Sequence, residues 1–106
     1  MLMAYRESLA MVRLLRELLP VVARQDANLA SQLRRAASSV VLNVAEGSGR
    51  WGKDSIRMYR IARGSAREVM AALDLAVAFG HVDSAAAADA AAKATQVCNM
   101  LYGLTR

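Results

Sequence analysis

The sequence predicts an all-α protein, an antiparallel up-down-up-down four-helix bundle. Three observations carry this. Apolar residues recur at intervals of three and four rather than two, four such segments are separated by short stretches bearing cap and stop residues, and no run alternates well enough to be a strand. Helices joined by short connections pack most simply against their antiparallel neighbours, and the whole chain, residues 1–106, reads as one domain.

The first helix is expected from residue 4 to about 19 or 24. Leu9, Val12, Leu19 and Val22 form one apolar stripe, and Met11, Leu14, Leu18 and Val21 form another beside it. Such a face is wider than a single contact needs. Pro20 removes a helical hydrogen bond and crowds the preceding turn, so it either kinks this helix or ends it. Asp26 is placed to cap a second helix that runs to about Glu46, with Leu29, Leu33, Val40 and Val44 inward.

A third helix starts near Lys53 or Asp54 and runs to about Phe79. Its seam of Tyr59, Ala62, Ala66, Val69, Leu73 and Ala76 steps regularly by three and four, and Gly80 is well placed as its stop. Asp83 or Ser84 can cap the fourth helix, which ends near Leu104 with Ala90, Ala94, Val97, Leu101 and Leu104 as its seam. The alanine tract at 85–92 favours helix and lets a neighbour approach closely.

Bulk composition narrows the class. Apolar residues make up 56% of only 106 positions, more than a single small core readily hides, so a second copy of the chain is the simplest partner. The most apolar windows carry charges well before the roughly 18 residues that a membrane span requires. Arg6 and Glu7 interrupt any secretory apolar region, and the single cysteine, Cys98, makes no internal disulfide. A cytoplasmic location with no membrane partner is expected.

The net charge is +5, and its distribution is uneven. Residues 34–67 hold eight basic and two acidic side chains, a net of +6, while the rest of the chain nets −1. Such asymmetry points to an anionic partner, nucleic acid foremost.

Within that stretch, Arg57, Arg60, Arg63 and Arg67 step by 3, 3 and 4 along one side of the third helix, a row of about 15 Å. No acidic residue lies between them, and like charges at these spacings repel by a few tenths of a kcal/mol per pair. Three readings are open: contact with an anion or nucleic acid, salt bridges to another subunit, or a solvated face. Arg34, Arg35, Arg50, Lys53, Arg57, Arg60 and Arg63 are the candidate phosphate contacts.

The loop "EGSGRWGKD" at 46–54 matches G-x-G-x-x-G literally through Gly47, Gly49 and Gly52. A dinucleotide site needs a strand before those glycines, and a helical pattern precedes them here. The loop reads instead as a turn. Gly47 ends the second helix, Gly49 and Gly52 permit the reversal, Asp54 helps start the third helix, and Arg50 and Lys53 extend the arginine row. Trp51 can stack on a base or pack on its own bundle or a neighbouring subunit.

Polar residues also interrupt the apolar faces. Ser39, Asn43 and Glu46 share one side of the second helix, and Ser65 and Glu68 lie three apart on the third. A structural hydrogen-bond network between the two helices is expected, because unpaired polar groups inside a bundle are costly.

Enzyme chemistry fails on inventory. No nucleophile or metal set accompanies Glu46 and Glu68, and no Glu-x-x-His motif or Cys/His group is present for iron or zinc. His81 is expected at the surface of a turn and Cys98 as a small apolar residue. No catalytic residue, metal or cofactor is expected.

The central segments "QLRRAASSVVLNVAEGSGR" (32–50) and "YRIARGSAREVMAAL" (59–73) resemble the four-helix-bundle proteins encoded by intervening sequences in bacterial 23S ribosomal RNA genes. The accessory variability protein of diversity-generating retroelements is in the same family. The resemblance is specific in Gln32-Leu33-Arg34-Arg35-Ala36, Ser39 with Asn43 to Gly47, and Gly64-Ser65-Ala66 with Glu68, and it is looser in the first helix. It implies a ring-like homopentamer and, in the retroelement branch, a basic surface that binds nucleic acid and a reverse transcriptase.

Two functional accounts follow. In one, the protein is a non-enzymatic oligomer that binds nucleic acid, RNA above all, through phosphates. In the other it is a structural or adaptor oligomer whose arginines pair with carboxylates such as Glu46, Glu68 and Asp74 on a neighbour.

Overall fold

The computed structural model describes residues 2–106 and contains four helices: α1 (Met3–Gln25), α2 (Ala27–Ser48), α3 (Gly52–Ala78) and α4 (Ser84–Leu104). Each packs against its chain neighbours, and α4 closes the bundle against α1, so α1 and α3 lie diagonally. The bundle measures 42 × 22 × 20 Å.

One residue joins α1 to α2. The Asp26 amide donates to Val22 O at 2.8 Å, finishing α1, while its carboxylate accepts from Leu29 N at 3.0 Å, starting α2. A single side chain thus serves the ends of two helices. At the same end of the bundle α3 stops at Phe79 and Gly80. Gly80 takes φ +77°, and His81 N and Gly80 N return to the carbonyls of Ala76 and Val77 at 2.9 Å each. This is the left-handed stop that favours glycine.

His81 is not a surface residue. Its side chain is only 12% exposed and its Nε2 lies 3.2 Å from Asp26 Oδ2, so it ties the α3–α4 turn to the α1–α2 junction.

The buried seams of α2 and α3 are the expected ones, extended by small residues such as Ala36 and Ala37. The seam of α1 is different. Ala4, Ser8, Met11, Leu15, Leu18 and Val22 are the residues that disappear, and Leu9, Val12, Leu14, Leu19 and Val21 flank them half-exposed. Met11, Leu18 and Val22 of the expected stripes are on this seam, and the other five lie beside it because α1 is apolar over so wide an arc. Ser8 sits in the core without cost to a neighbour, its hydroxyl donating to Tyr5 O one turn back at 2.8 Å.

Pro20 does not end α1, which continues five residues beyond it. The carbonyl it leaves without a donor belongs to Arg16, and both residues are exposed, so solvent is in reach of the missing bond. In α4 the seam runs through Ala87, Ala90, Ala94, Val97 and Leu101 but ends on Thr105, not Leu104, which is exposed. Cys98 is half-buried against the core with a free thiol.

Candidate nucleic-acid interface

The α2–α3 turn begins with a glycine that does something other than end a helix. Gly47 lies inside α2 and is buried, and a Cβ there would stand 2.6 Å from Cε1 of Tyr59. The Tyr59 ring occupies the space a side chain would need, and Ser55 Oγ donates to Gly47 O at 2.7 Å, drawing the start of α3 onto the end of α2. The helix ends one residue later, at Ser48, with Gly49 as its cap. Gly52, at φ +53°, makes the turn itself. A helix precedes these glycines and no strand exists among the described residues, so the pyrophosphate geometry is absent.

Trp51 stands at the tip of this turn and is 89% exposed, so it does not pack on its own bundle. It precedes α3 without a side-chain cap; the Asp54 amide donates to Trp51 O at 3.2 Å, while the Gly52 and Lys53 amides have no partner among the described residues at the positive end of the helix dipole.

From this turn the basic surface runs up the outside of α3. Lys53, Arg57, Arg60 and Arg67 are exposed, and among the described residues no carboxylate lies within 4.0 Å of them. The other expected contacts are placed differently. Arg50 is held by Glu46, its Nη2 donating to Oε1 at 2.6 Å and its Nε at 3.1 Å. That hydrogen bond, and then the charge behind it, raises the Arg50 pKa above its ordinary value.

Arg63 leaves the row for α4. It donates to Thr105 Oγ1 at 3.1 Å, and its guanidinium stands 5.3 Å from the centre of the Tyr102 ring, with Arg106 at 6.0 Å from the same ring. These contacts hold the end of α4 on α3. Arg34 and Arg35 are both exposed on α2, but Arg34 lines a groove on the α1 side, away from α3.

The polar residues divide as well. Ser39 Oγ and Ser65 Oγ meet at 2.7 Å across α2 and α3, and Asn43 Nδ2 donates to the Ser39 carbonyl at 2.9 Å and its hydroxyl at 3.1 Å. Glu46 turns outward to Arg50, and Glu68 is exposed, so neither carboxylate joins these serines. Helical phase placed the carboxylates beside the network, and their longer side chains carry them into water.

Sequence reasoning missed two parts of this surface. Arg67 was seen in the row but not counted among the contacts, and Arg13 and Arg16, on α1, join Arg34 around the groove.

A crystal structure of a protein of unknown function from the S23 ribosomal protein family of Bacteroides thetaiotaomicron is similar to this chain, with a TM-score of 0.86 at 19% identity, covering 97% of this chain and 98% of that one. At that identity the likeness speaks for the fold. No curated protein matches the chain. The family model for the 23S rRNA-intervening sequence protein matches residues 1–103, spanning all four helices including the first, where the motifs are loosest. With that match over nearly its whole length, the chain belongs to the 23S rRNA-intervening sequence protein family.

Proposed function

We propose that the protein is a non-enzymatic, cytoplasmic homo-oligomer, a pentamer, that binds RNA through phosphates on the outer face of α3. The observation that carries this reading is the row of Lys53, Arg57, Arg60 and Arg67, exposed and with no carboxylate within 4.0 Å among the described residues. Exposed cations in a row attract a chain of phosphates, and contacts to phosphate alone bring little sequence preference. Two features at the start of α3 support it. The Gly52 and Lys53 amides, without a partner among the described residues, suit a phosphate oxygen, and Trp51 offers a face for a base.

Binding of a labelled single-stranded RNA at two salt concentrations tests the reading. Four neutralised phosphates give a slope of roughly −3 in log affinity per log salt, or about a 50-fold loss between 50 and 200 mM. Absence of binding at low salt contradicts it.

The adaptor reading has its own supporting observation. Glu68 and Asp74 are exposed on α3 with no cation within 4.0 Å among the described residues, so they are available to a neighbour's arginines. The two readings are compatible if the carboxylates serve assembly and the cations serve RNA.

A further inference from the structure

We propose that the groove between α1 and α2 receives residues 68–79, the C-terminal part of α3 with its cap residue Phe79, from a second copy of the chain. The proposal rests on the homo-oligomer reading above and supplies its interface. The groove is open, with a volume of about 790 Å³ and a largely apolar lining that includes Val12, Leu19 and Ala30. Arg13, Arg16 and Arg34 stand around it. The nearby Glu17 does little to offset them, since it reaches only Arg16, at 4.0 Å, with both side chains largely in water. An occupant that satisfies this groove presents an apolar ridge accompanied by carboxylates.

Residues 68–79 present such a ridge. Leu75 is 46% exposed and Phe79 64%, with Ala71 and Ala78 exposed between and beside them. Large apolar side chains are exposed elsewhere too, Leu42 and Tyr102 among them, but Leu75 and Phe79 stand one turn apart beside exposed alanines, and a grouping of that kind marks a face suited to a partner. The same stretch carries Glu68 and Asp74, both exposed, and contains no basic residue, since the arginine row stops at Arg67. Charge therefore selects this half of α3 and rejects the other half, whose cations would face those of the groove.

The lengths agree. The groove walls run over residues 12–23 of α1 and 27–38 of α2, and the ridge over residues 68–79, each about 16 Å at the helical rise. Within one protomer the two surfaces cannot meet, because α3 lies diagonally from α1. Each copy thus offers a groove on one side and a ridge on another, a head-to-tail contact that closes into a ring when the rotation between copies permits. Arg34 then belongs to the assembly and not to the RNA surface.

Analytical ultracentrifugation of the full chain tests this, with far-UV circular dichroism to verify that each variant keeps its helices. Wild type is expected as an oligomer. The groove variant Arg13→Glu/Arg16→Glu and the ridge variant Glu68→Lys/Asp74→Lys are each expected to sediment as the 11.4 kDa monomer. The four substitutions combined are expected to restore the oligomer. Ser31→Trp, which fills the groove without altering its charge, is expected to give monomer and stands in if a charge variant loses helicity. If wild type is an oligomer and the groove and ridge variants remain so, the groove is left to some other occupant and the proposal is overturned while the homo-oligomer reading stands. A combined variant that stays monomeric also overturns it. A wild-type monomer overturns the homo-oligomer reading itself.

Discussion

Replacing Gly47 with alanine should destabilise the protein, although the same change in an exposed helix does the opposite. In a helix interior glycine is worse than alanine by about 1 kcal/mol, so the backbone alone favours Gly47→Ala. The added Cβ, however, would lie 2.6 Å from Tyr59 Cε1, 2.8 Å from Cδ1 and 3.1 Å from Cζ. Carbon atoms rest roughly 3.5–4.0 Å apart, so the ring must retreat by about 1 Å. Tyr59 is buried within the core cluster and cannot retreat without moving its neighbours. Overpacking of that kind costs typically about 1–3 kcal/mol, and with so close an approach the upper part of the range applies. The net expectation is a loss of about 1–2 kcal/mol, or roughly 4–8 °C in Tm for each kcal/mol.

Gly64 is the control, lying exposed within α3 with nothing within 4 Å of its would-be Cβ, so Gly64→Ala should gain about 0.5–1 kcal/mol. Urea unfolding followed by circular dichroism at one fixed protein concentration measures both, since assembly would otherwise shift the midpoints. In a Tyr59→Leu background Gly47→Ala should cost less or turn favourable. Stabilisation by Gly47→Ala in the wild-type background would refute the argument that Tyr59 dictates the glycine.

Other perturbations read other parts of the fold. Ser8→Ala should be neutral or gain about 0.5 kcal/mol by thermal melting, because the hydroxyl bonds only to its own helix and alanine is the better helix former. Ser65→Ala should instead cost about 1 kcal/mol by urea unfolding, since its hydroxyl bridges two helices to Ser39. The hydrogen bond from Leu29 N, aided by His81, holds the Asp26 pKa below its ordinary value. A lowered folded-state pKa means that the charge stabilises above the unfolded-state value, and that this contribution fades as pH falls through the folded-state value. Asp26→Asn keeps a cap but loses the charge, so melts at a series of pH values should show wild type losing its advantage over the variant through the acid range. Parallel curves would contradict this.

The fold was legible because burial follows periodicity on α2, α3 and most of α4, where the buried residues step by three and four. It was less legible on α1. There Leu9, Val12, Leu14, Leu19 and Val21 surround the true seam, and the seam itself includes Ala4 and Ser8, which hydrophobicity does not flag. Gly47 was visible as a glycine but not as the complement of Tyr59, twelve residues away.

The candidate site shows a similar limit. Helical phase assigns Arg63 to the row with Arg57 and Arg60, but its contacts with Tyr102 and Thr105 come from the far end of the chain and only packing reveals them. Glu46 was seen near Asn43, yet its preference for Arg50 is set by side-chain reach and water. The excess of cations was readable by counting. Which of them stay free was not.

The central claim is that free cations on the outer face of α3 contact RNA phosphates, and the salt dependence of binding measures those contacts directly. Fluorescence anisotropy of a labelled single-stranded RNA should give wild type a slope of roughly −3. Arg57→Ala/Arg60→Ala, which removes two of the four cations, should bring it to about −1.4 with assembly unchanged. An unchanged slope in the double variant, with binding intact, would contradict the account.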